Sequence, residues 1–303
     1  NNANLHDTNG KMFTTGELDV MVYENTYYFY FDDWGCCSDH SCKSPCVYNI
    51  SHNVVLYSTN DFVAFENHGI VLNVTQRHEG ILFRPHVIYN QKTKLFVMWY
   101  IDRHPGHNLA IATAPHPTGL FKTIYDTASF SCGPDGDYDL FVDGEEAYII
   151  ITHHAYMCIE RLDDTYTNGT GDTTIIHTTA ASEAPVLFKR DDLYYVLFGD
   201  DCCACTGGSN VFVYTAPKPL GPYTFHGDVG TSRNGSFVTR AQQSVVFEIP
   251  STSGSTFMWI GNQWGRSPDD CYHHDYLYWY PLQFNSTGGI LEIEWKDSIT
   301  FEL

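Results

Sequence analysis

The strongest constraint on the fold is a unit of two apolar strands around a polar turn, which recurs five times along the 303 residues. Aromatic residues make up 15% of the chain, which favours strands, and no stretch of useful length has the period of a helix. The spacing of about 45 to 70 residues between units is the period of a four-stranded propeller blade with elaborated loops. The first strands of the units begin near Val20, Val87, Leu140, Val186 and Val245.

A second, shorter repeat supports this interpretation. Residues 113–121 and 215–223 share the pattern Thr-Ala-Pro-x-Pro-x-Gly and end different units. The sequence therefore predicts an all-β fold, a five-bladed β-propeller with four-stranded blades around a central channel, as a single domain over residues 1–303. A β-sandwich is the alternative, and the internal repeat disfavours it.

The charge of the chain restricts its partners. Lys and Arg number 16 against 36 Asp and Glu, so the formal net charge is −20. Nucleic acid and anionic membrane surfaces attract positive charge, and neither is expected as a partner. No apolar run approaches the roughly 20 residues of a membrane span. The composition suits a protein that handles neutral ligands.

The cysteines and glycosylation sequons predict an extracellular protein. Ten cysteines are many for a cytosolic chain, and their even number permits full pairing. The clusters at 36–46 and 202–205 could suggest zinc, but disulfides that staple loops suit a secreted chain better. The start at Asn1 without Met suggests processing or truncation. Five Asn-x-Ser/Thr sequons predict attached N-linked glycans, at Asn49, Asn73, Asn168, Asn234 and Asn285.

A narrow propeller channel brings the starts of the innermost strands together, so residues there converge from different blades. Glu183 directly precedes an Ala-Pro step and a buried hairpin, where a half-desolvated carboxylate could act as a general acid. The alternative is a structural carboxylate that caps a turn. The residues that precede the five first strands are Glu17, Phe83-Arg84, Asp137, Glu183 and Gln242.

These positions carry a resemblance to glycoside hydrolase family 43, nearest to its exo-β-1,3-galactanase-like branch. The resemblance implies a five-bladed propeller that acts on, or binds, a galactan-type glycan by an inverting mechanism with carboxylates from separate blades. It implies no required cofactor, although propellers of this family can hold a structural cation in the channel. The similar runs include Phe83-Arg-Pro-His, Asp137-Tyr-Asp, Glu183-Ala-Pro, Ala241-Gln-Gln-Ser and Gly261-Asn-Gln-Trp.

The resemblance also implies roles for these residues. Glu183 matches the general acid, and Asp137 matches the aspartate that orients the acid and raises its pKa. Gln242 matches a glutamine that positions the attacking water. Asp139 is the alternative to Asp137, and Gln243 is the alternative to Gln242.

The remaining candidates complete the predicted site. Glu17 lies where a first-blade base would be, with a solvated loop acid as the alternative. The aromatic side chains of Trp264, Trp99 and Tyr278 could stack on a sugar or pack in the cores of the blades. The pairs 153–154 and 273–274 are adjacent histidines, only one of which could face inward from a strand, and no functional metal is predicted. The predicted substrate-binding residues are Arg84, Phe83, Trp264, Gln263 and Tyr278.

The chain departs from the galactanase-like branch at several of these positions. Phe83 replaces a glutamate, Asn262-Gln263 replaces an Asp-Arg pair, and Leu18 stands where a small residue is expected. Each lost polar partner of a sugar hydroxyl costs about 1–3 kcal/mol. Two hypotheses therefore stay open: a secreted inverting glycoside hydrolase, or a catalytically impaired propeller that binds carbohydrate or self-assembles into an extracellular structure.

Overall fold

The computed structural model describes residues 1, 3–35, 52–103, 109–178, 180–200, 207–232, 234–252, 254–269 and 271–303. In these ranges the secondary structure is strands and a single 3₁₀ turn, Tyr272–His274. The strands are β1 (Leu18–Tyr23), β2 (Thr26–Asp33), β3 (Asn53–Thr59), β4 (Glu66–Leu72), β5 (Leu82–Asn90), β6 (Leu95–Asp102), β7 (Leu109–Ala114), β8 (Lys122–Tyr125), β9 (Tyr138–Asp143), β10 (Glu146–His153), β11 (Tyr156–Leu162), β12 (Gly169–His177), β13 (Glu183–Arg190), β14 (Leu193–Gly199), β15 (Phe212–Ala216), β16 (Thr224–Asp228), β17 (Gln242–Ile249), β18 (Thr256–Gln263) and β19 (Tyr276–Pro281).

The strands form five antiparallel sheets in chain order, each of which is one blade. Blades 1 to 4 take four strands each, and the described part of blade 5 contains β17, β18 and β19. The first strand of every blade packs against the first strands of its neighbours, and β17 packs against β1, which closes the ring. The prediction of a five-bladed propeller is confirmed, and the β-sandwich alternative is wrong.

The hydrophobic core is divided into five clusters, and each fills the space between two adjacent blades. Successive residues of a strand point to opposite faces, so a blade between two neighbours needs apolar residues on both faces. Val97 and Met98 illustrate this, because Val97 packs toward blade 3 and Met98 toward blade 1. This burial on both faces explains why the central strands are continuous apolar runs.

Aspartates in the first strands connect one blade to the next. Asp19 in blade 1 accepts a hydrogen bond from the Val87 backbone N–H in blade 2, at 2.7 Å. Asp139 makes the same bond to the Leu187 N–H, also at 2.7 Å, between blades 3 and 4. Between the two aspartates lies His86, whose Nδ1 is 3.6 Å from Asp19 Oδ1 and 3.0 Å from Asp139 Oδ1. The first strands are thus held in register around the channel by buried polar groups.

Asn262 joins blade 5 to the N-terminal segment and so closes the ring. Its Nδ2 donates to the backbone oxygens of Thr15, at 3.1 Å, and Gly16, at 3.0 Å. Its Oδ1 accepts a hydrogen bond from Ser244 Oγ at 2.6 Å. Since Asn262 is 1% exposed, these bonds are shielded from water. Asn262, where the chain differs from the galactanase-like branch, therefore lies at the seam of the ring, the place where blade 5 meets the N-terminal segment.

The three cysteines among the described residues are all in disulfide bonds. Cys132 forms a disulfide with Cys158, and Cys271 is also disulfide-bonded. The cysteines of the clusters 36–46 and 202–205 and the sequon at Asn49 lie outside the described residues. In the part of the chain that the structure describes, no helix is long and apolar enough to cross a membrane.

Replacing Asn262 with Ala tests the seam. The substitution leaves the buried carbonyls of Thr15 and Gly16 without their donor, so we expect the free energy of unfolding to fall by about 2–4 kcal/mol. Urea denaturation measures this change. Asn60→Ala, which removes an exposed amide, is the control and is expected to change stability by less than about 0.5 kcal/mol. Equal stabilities of the two variants would contradict the assigned role.

Candidate active site

Glu183 lies on a β-bulge at the start of β13. The pairing of β13 with β14 shifts between Glu183 and Val186, and Ala184 has a φ of 48°. Pro185 follows and has no N–H to donate to the sheet. A bulge at a strand end redirects the side chain beside it, which is why bulges are frequent next to active sites. The half-buried carboxylate of Glu183 is therefore displaced from the regular sheet.

The same local structure occurs in blade 2. The pairing of β5 with β6 shifts between Phe83 and His86, and Arg84, before Pro85, has a φ of 50°. Phe83 consequently occupies in blade 2 the position that Glu183 occupies in blade 4. The bulges align the two X-X-Pro segments, a correspondence that their sequences alone do not make obvious.

Asp137 supports the bulge that carries Glu183. Its Oδ2 accepts a hydrogen bond from the Ala184 N–H at 2.9 Å and lies 3.5 Å from Arg84 Nη1. Asp139, the alternative candidate, instead binds the Leu187 N–H deeper in the channel. The geometry thus places Asp137, and not Asp139, next to Glu183. Its predicted effect on the pKa of Glu183 stays a prediction.

The two glutamines of blade 5 have different partners. Gln242 Nε2 lies 3.1 Å from Glu183 Oε2, and Gln242 Oε1 accepts a hydrogen bond from the Trp264 indole at 2.8 Å. Gln243 Nε2 donates to the Ala184 backbone oxygen at 2.8 Å. Gln242 therefore contacts the candidate acid directly, whereas Gln243 holds its backbone.

Arg84 and Glu17 lie on the other side of Asp137. The Arg84 guanidinium is buried, and its Nη1 is 4.0 Å from Glu17 Oε1. Burial raises the pKa of Glu17 to about 7, the positive charge of Arg84 opposes this shift, and the negative charge of Asp137 adds to it. Glu17 is thus a buried carboxyl that titrates close to neutral pH.

Sequence reasoning missed a further buried acid, Asp32, at the end of β2. Its Oδ2 accepts a hydrogen bond from the Arg84 backbone N–H at 3.2 Å. Burial, with the nearby Glu17 carboxyl, raises the pKa of Asp32 well above its ordinary range. The only signal in the sequence was an acidic pair that ends an apolar strand, which is equally typical of an exposed strand end.

Aromatic side chains border the Glu183–Gln242 pair. Trp264 stacks on Trp34 with ring centroids 5.7 Å apart and an angle of 11° between the planes. Phe83 meets Trp34 edge to face at 5.9 Å, and Arg103 lies over the Phe83 ring at 5.9 Å. Trp34 was also missed, since it belongs to no recognisable motif. Phe83, Trp34 and Trp264 thus pack together in one aromatic cluster beside the site.

Two predicted substrate-binding residues are placed elsewhere. Gln263 is fully buried, and its Nε2 donates to the Asn1 backbone oxygen at 2.8 Å. Tyr278 is buried in the cluster between blades 4 and 5, where it stacks on Trp295 at 4.7 Å. Leu18 packs between blades 1 and 5 and does not fill the site. The structure brings none of these three side chains to Glu183.

The described residues contain one cluster with the spacing of a metal site. Cys271, His273 and His274 lie close enough together to share an ion, but the Cys271 sulfur is in a disulfide and is not free to bind one. In the channel, the buried Nε2 of His86 has no hydrogen-bond partner among the described residues. An imidazole nitrogen of this kind could contact a channel cation or its bound water, and the cation stays a prediction.

The chain is similar to a known protein family in sequence and to solved structures in fold. Residues 17–250 match the family model described as Glycosyl hydrolases family 43. No curated protein sequence is significantly similar to this chain.

Three solved structures illustrate the structural similarity. A GH43 β-1,3-galactosidase with galactodeoxynojirimycin has a TM-score of 0.82 and 20% identity, over 99% of this chain and 99% of that chain. An exo-β-1,3-galactanase from Phanerochaete chrysosporium has a TM-score of 0.77 and 21% identity, over 96% of this chain and 65% of that chain. An exo-β-1,3-galactanase from Clostridium thermocellum has a TM-score of 0.78 and 20% identity, over 96% and 64%. At these identities the similarity shows the fold.

The raised pKa of Glu17 predicts a pH-dependent stability. The folded state binds this proton more tightly than the unfolded chain, whose glutamates titrate near 4.5. The resulting stabilisation is complete below about pH 4.5 and is lost as pH rises through about 7. We expect Glu17→Gln to lack this loss. As pH rises from about 4.5 to above 7, the free energy of unfolding of the variant should therefore increase relative to that of wild type by roughly 1–3 kcal/mol.

Urea denaturation at about pH 4.5 and pH 8 measures the difference. Glu292→Gln removes an exposed carboxylate and is the matched control. A stability difference between Glu17→Gln and wild type that does not change with pH would show that Glu17 titrates normally.

Proposed function

Because the chain belongs to glycosyl hydrolases family 43, we propose that it hydrolyses a galactan-type glycan by an inverting mechanism with Glu183 as the general acid. The observation that carries the proposal is the convergence of Glu183, Asp137 and Gln242 from three blades. The galactan-type substrate is supported by the structural neighbours named as a β-1,3-galactosidase and exo-β-1,3-galactanases.

Inverting hydrolysis needs a carboxylic acid that protonates the glycosidic oxygen while water attacks the opposite face of the sugar. Proton transfer requires the acid to be held in a defined position. Both backbone groups of Ala184 are bound, the N–H by Asp137 and the carbonyl by Gln243. These two bonds fix the backbone next to Glu183, so the side chain of the proposed acid extends from a backbone that is held in place.

Gln242 and Glu17 are the two candidates for placing the water. The groups that serve acid and water in inverting enzymes are about 6.5–9.5 Å apart. Gln242 contacts Glu183 in the free protein, so it would place the water only after the sugar separates the pair. Glu17 comes from another blade and would need to be ionised, which its pKa of about 7 allows at neutral pH and above. Arg84, between Glu17 and Asp137, would hold both carboxylates in place.

Glu183→Gln tests the proposal directly. The amide cannot protonate the leaving oxygen, so we expect hydrolysis of a β-1,3-galacto-oligosaccharide to fall by about 10²–10⁴-fold. Proton NMR of the wild-type reaction should show the α-anomer of the released sugar first, as inversion requires. Glu248→Gln, an exposed carboxylate at the far end of the strand that begins with Gln242, should retain activity. Full activity of Glu183→Gln would remove Glu183 from the mechanism.

A second candidate function is carbohydrate binding without turnover, with or without assembly into an extracellular structure. The observation that favours it is Phe83, whose half-buried ring lies where blade 4 has its carboxylate. An apolar ring can pack against the face of a sugar but supplies no partner for a hydroxyl. Binding on a glycan array without release of any sugar from the bound glycans would favour this function over hydrolysis.

The protein is proposed to be a secreted glycoprotein. The Cys132–Cys158 disulfide supports an oxidising compartment, and the sequon residues Asn234 and Asn285 are exposed. Asn168 is half-buried and its Nδ2 donates to Asp163 Oδ2 at 3.2 Å, so it is a poorer candidate in the folded chain.

Mass spectrometry of protein secreted from eukaryotic cells tests this proposal. Asn234→Gln and Asn285→Gln should each remove one glycan that a peptide N-glycosidase also releases, since the amide nitrogen of a sequon asparagine is the attachment point. Asn210→Gln, at an asparagine outside any sequon, is the control and should leave the glycan mass unchanged. Unchanged glycan mass in both sequon variants would exclude glycans at these positions.

A further inference from the structure

We infer that Trp264 is a positioning residue whose indole N–H holds the Gln242 amide with its nitrogen toward Glu183. This inference rests on the proposed function only in taking Glu183 as the general acid. It assigns to Trp264 a task different from the sugar-stacking role predicted from the sequence.

The direction of the Gln242 amide follows from the chemistry of its two neighbours. An indole N–H can only donate a hydrogen bond, so the Gln242 atom 2.8 Å from Trp264 Nε1 must be the amide oxygen. The amide nitrogen is then the atom 3.1 Å from Glu183 Oε2. Gln242 is 4% exposed, so little water is available to compensate a rotation of the amide.

The ring of Trp264 is poorly placed for a sugar. One face is covered by the stacked ring of Trp34, and the whole residue is 4% exposed. A sugar-stacking platform needs an open aromatic face. Packing against Trp34 instead holds the Trp264 indole in one orientation, which keeps its N–H directed at Gln242.

The amide orientation affects how tightly Glu183 holds its proton. An N–H donor stabilises a carboxylate, whereas a carbonyl oxygen in the same place would stabilise the protonated acid. Among the described residues, Asp137 contacts this bulge and Arg84 lies beside Asp137, and neither of these contacts involves Trp264. Removing the indole donor should therefore act on the proton affinity of Glu183 through the Gln242 amide.

Trp264→Phe removes the N–H and keeps an aromatic ring beside Trp34. We expect the pKa of Glu183 to rise by up to about one pH unit, measured by NMR titration of ¹³C-labelled glutamate carboxyls and assigned with Glu183→Gln. In the hydrolysis assay we expect kcat to fall by up to about tenfold, because a carboxyl that holds its proton more tightly transfers it less readily to the leaving oxygen. KM should change less than about twofold, because the Trp264 ring, 4% exposed, offers no open face to a sugar.

Trp99→Phe is the matched control. Its indole N–H is also buried and donates to the Tyr166 backbone oxygen at 2.9 Å, but it lies between blades 2 and 3. This control should lose stability without changing the pKa of Glu183 or kcat. If Trp264→Phe does not fold, benzothienylalanine at position 264, which has the shape of tryptophan without its N–H, replaces it.

The outcomes separate the inference from the proposed function. An unchanged pKa of Glu183 when the position-264 N–H is removed, or the same shift in Trp99→Phe, would overturn the role of Trp264. A shift of the pKa in a protein that hydrolyses no glycan would uphold the role of Trp264 and overturn the proposed hydrolase activity.

Discussion

The propeller depends on hydrogen bonds that backbone N–H groups of one blade donate to carboxylates of the preceding blade. Asp19 and Asp139 bind the first strands of blades 2 and 4 in the same way. Asp137 binds the bulge at the start of β13, the first strand of blade 4. Apolar packing between blades has no direction and would allow neighbouring blades to slide. The carboxylates fix the register of the first strands and thereby the positions of the residues at the channel mouth.

This arrangement places many acids where few positive charges are available. Burial raises the pKa of Asp19 to about 6 and of Glu17 to about 7, and Arg84 is the buried cation beside Glu17 and Asp137. A cluster of buried acids costs folding free energy at neutral pH, because each must be protonated or desolvated. Such costs are typical of functional sites, where the charge pattern serves chemistry. Asp137 serves both purposes, because it binds the neighbouring blade and lies next to Glu183.

How well a residue could be predicted depends on whether the pattern that marks it is local along the chain or requires a partner distant in sequence. Glu183, Asp137, Gln242 and Arg84 were predicted from their positions before the first strands, and the ring closure brings them together. Gln263 was predicted to bind substrate but binds the chain near its start, a contact between residues 262 positions apart. Trp34 and Asp32 were missed because their partners, Trp264 and the Arg84 backbone, come from other blades.

The sequence by itself determined the number of blades and the residues that begin their first strands, because alternation and repeat spacing are local properties of the chain. The family match at residues 17–250 agrees with this local information. Only the tertiary structure decided which neighbour each of these residues contacts. Gln242 and Gln243 are adjacent in sequence, yet one reaches the Glu183 carboxylate and the other the Ala184 carbonyl. That division depends on the bulges and on the rotation between blades, which arise when the ring closes.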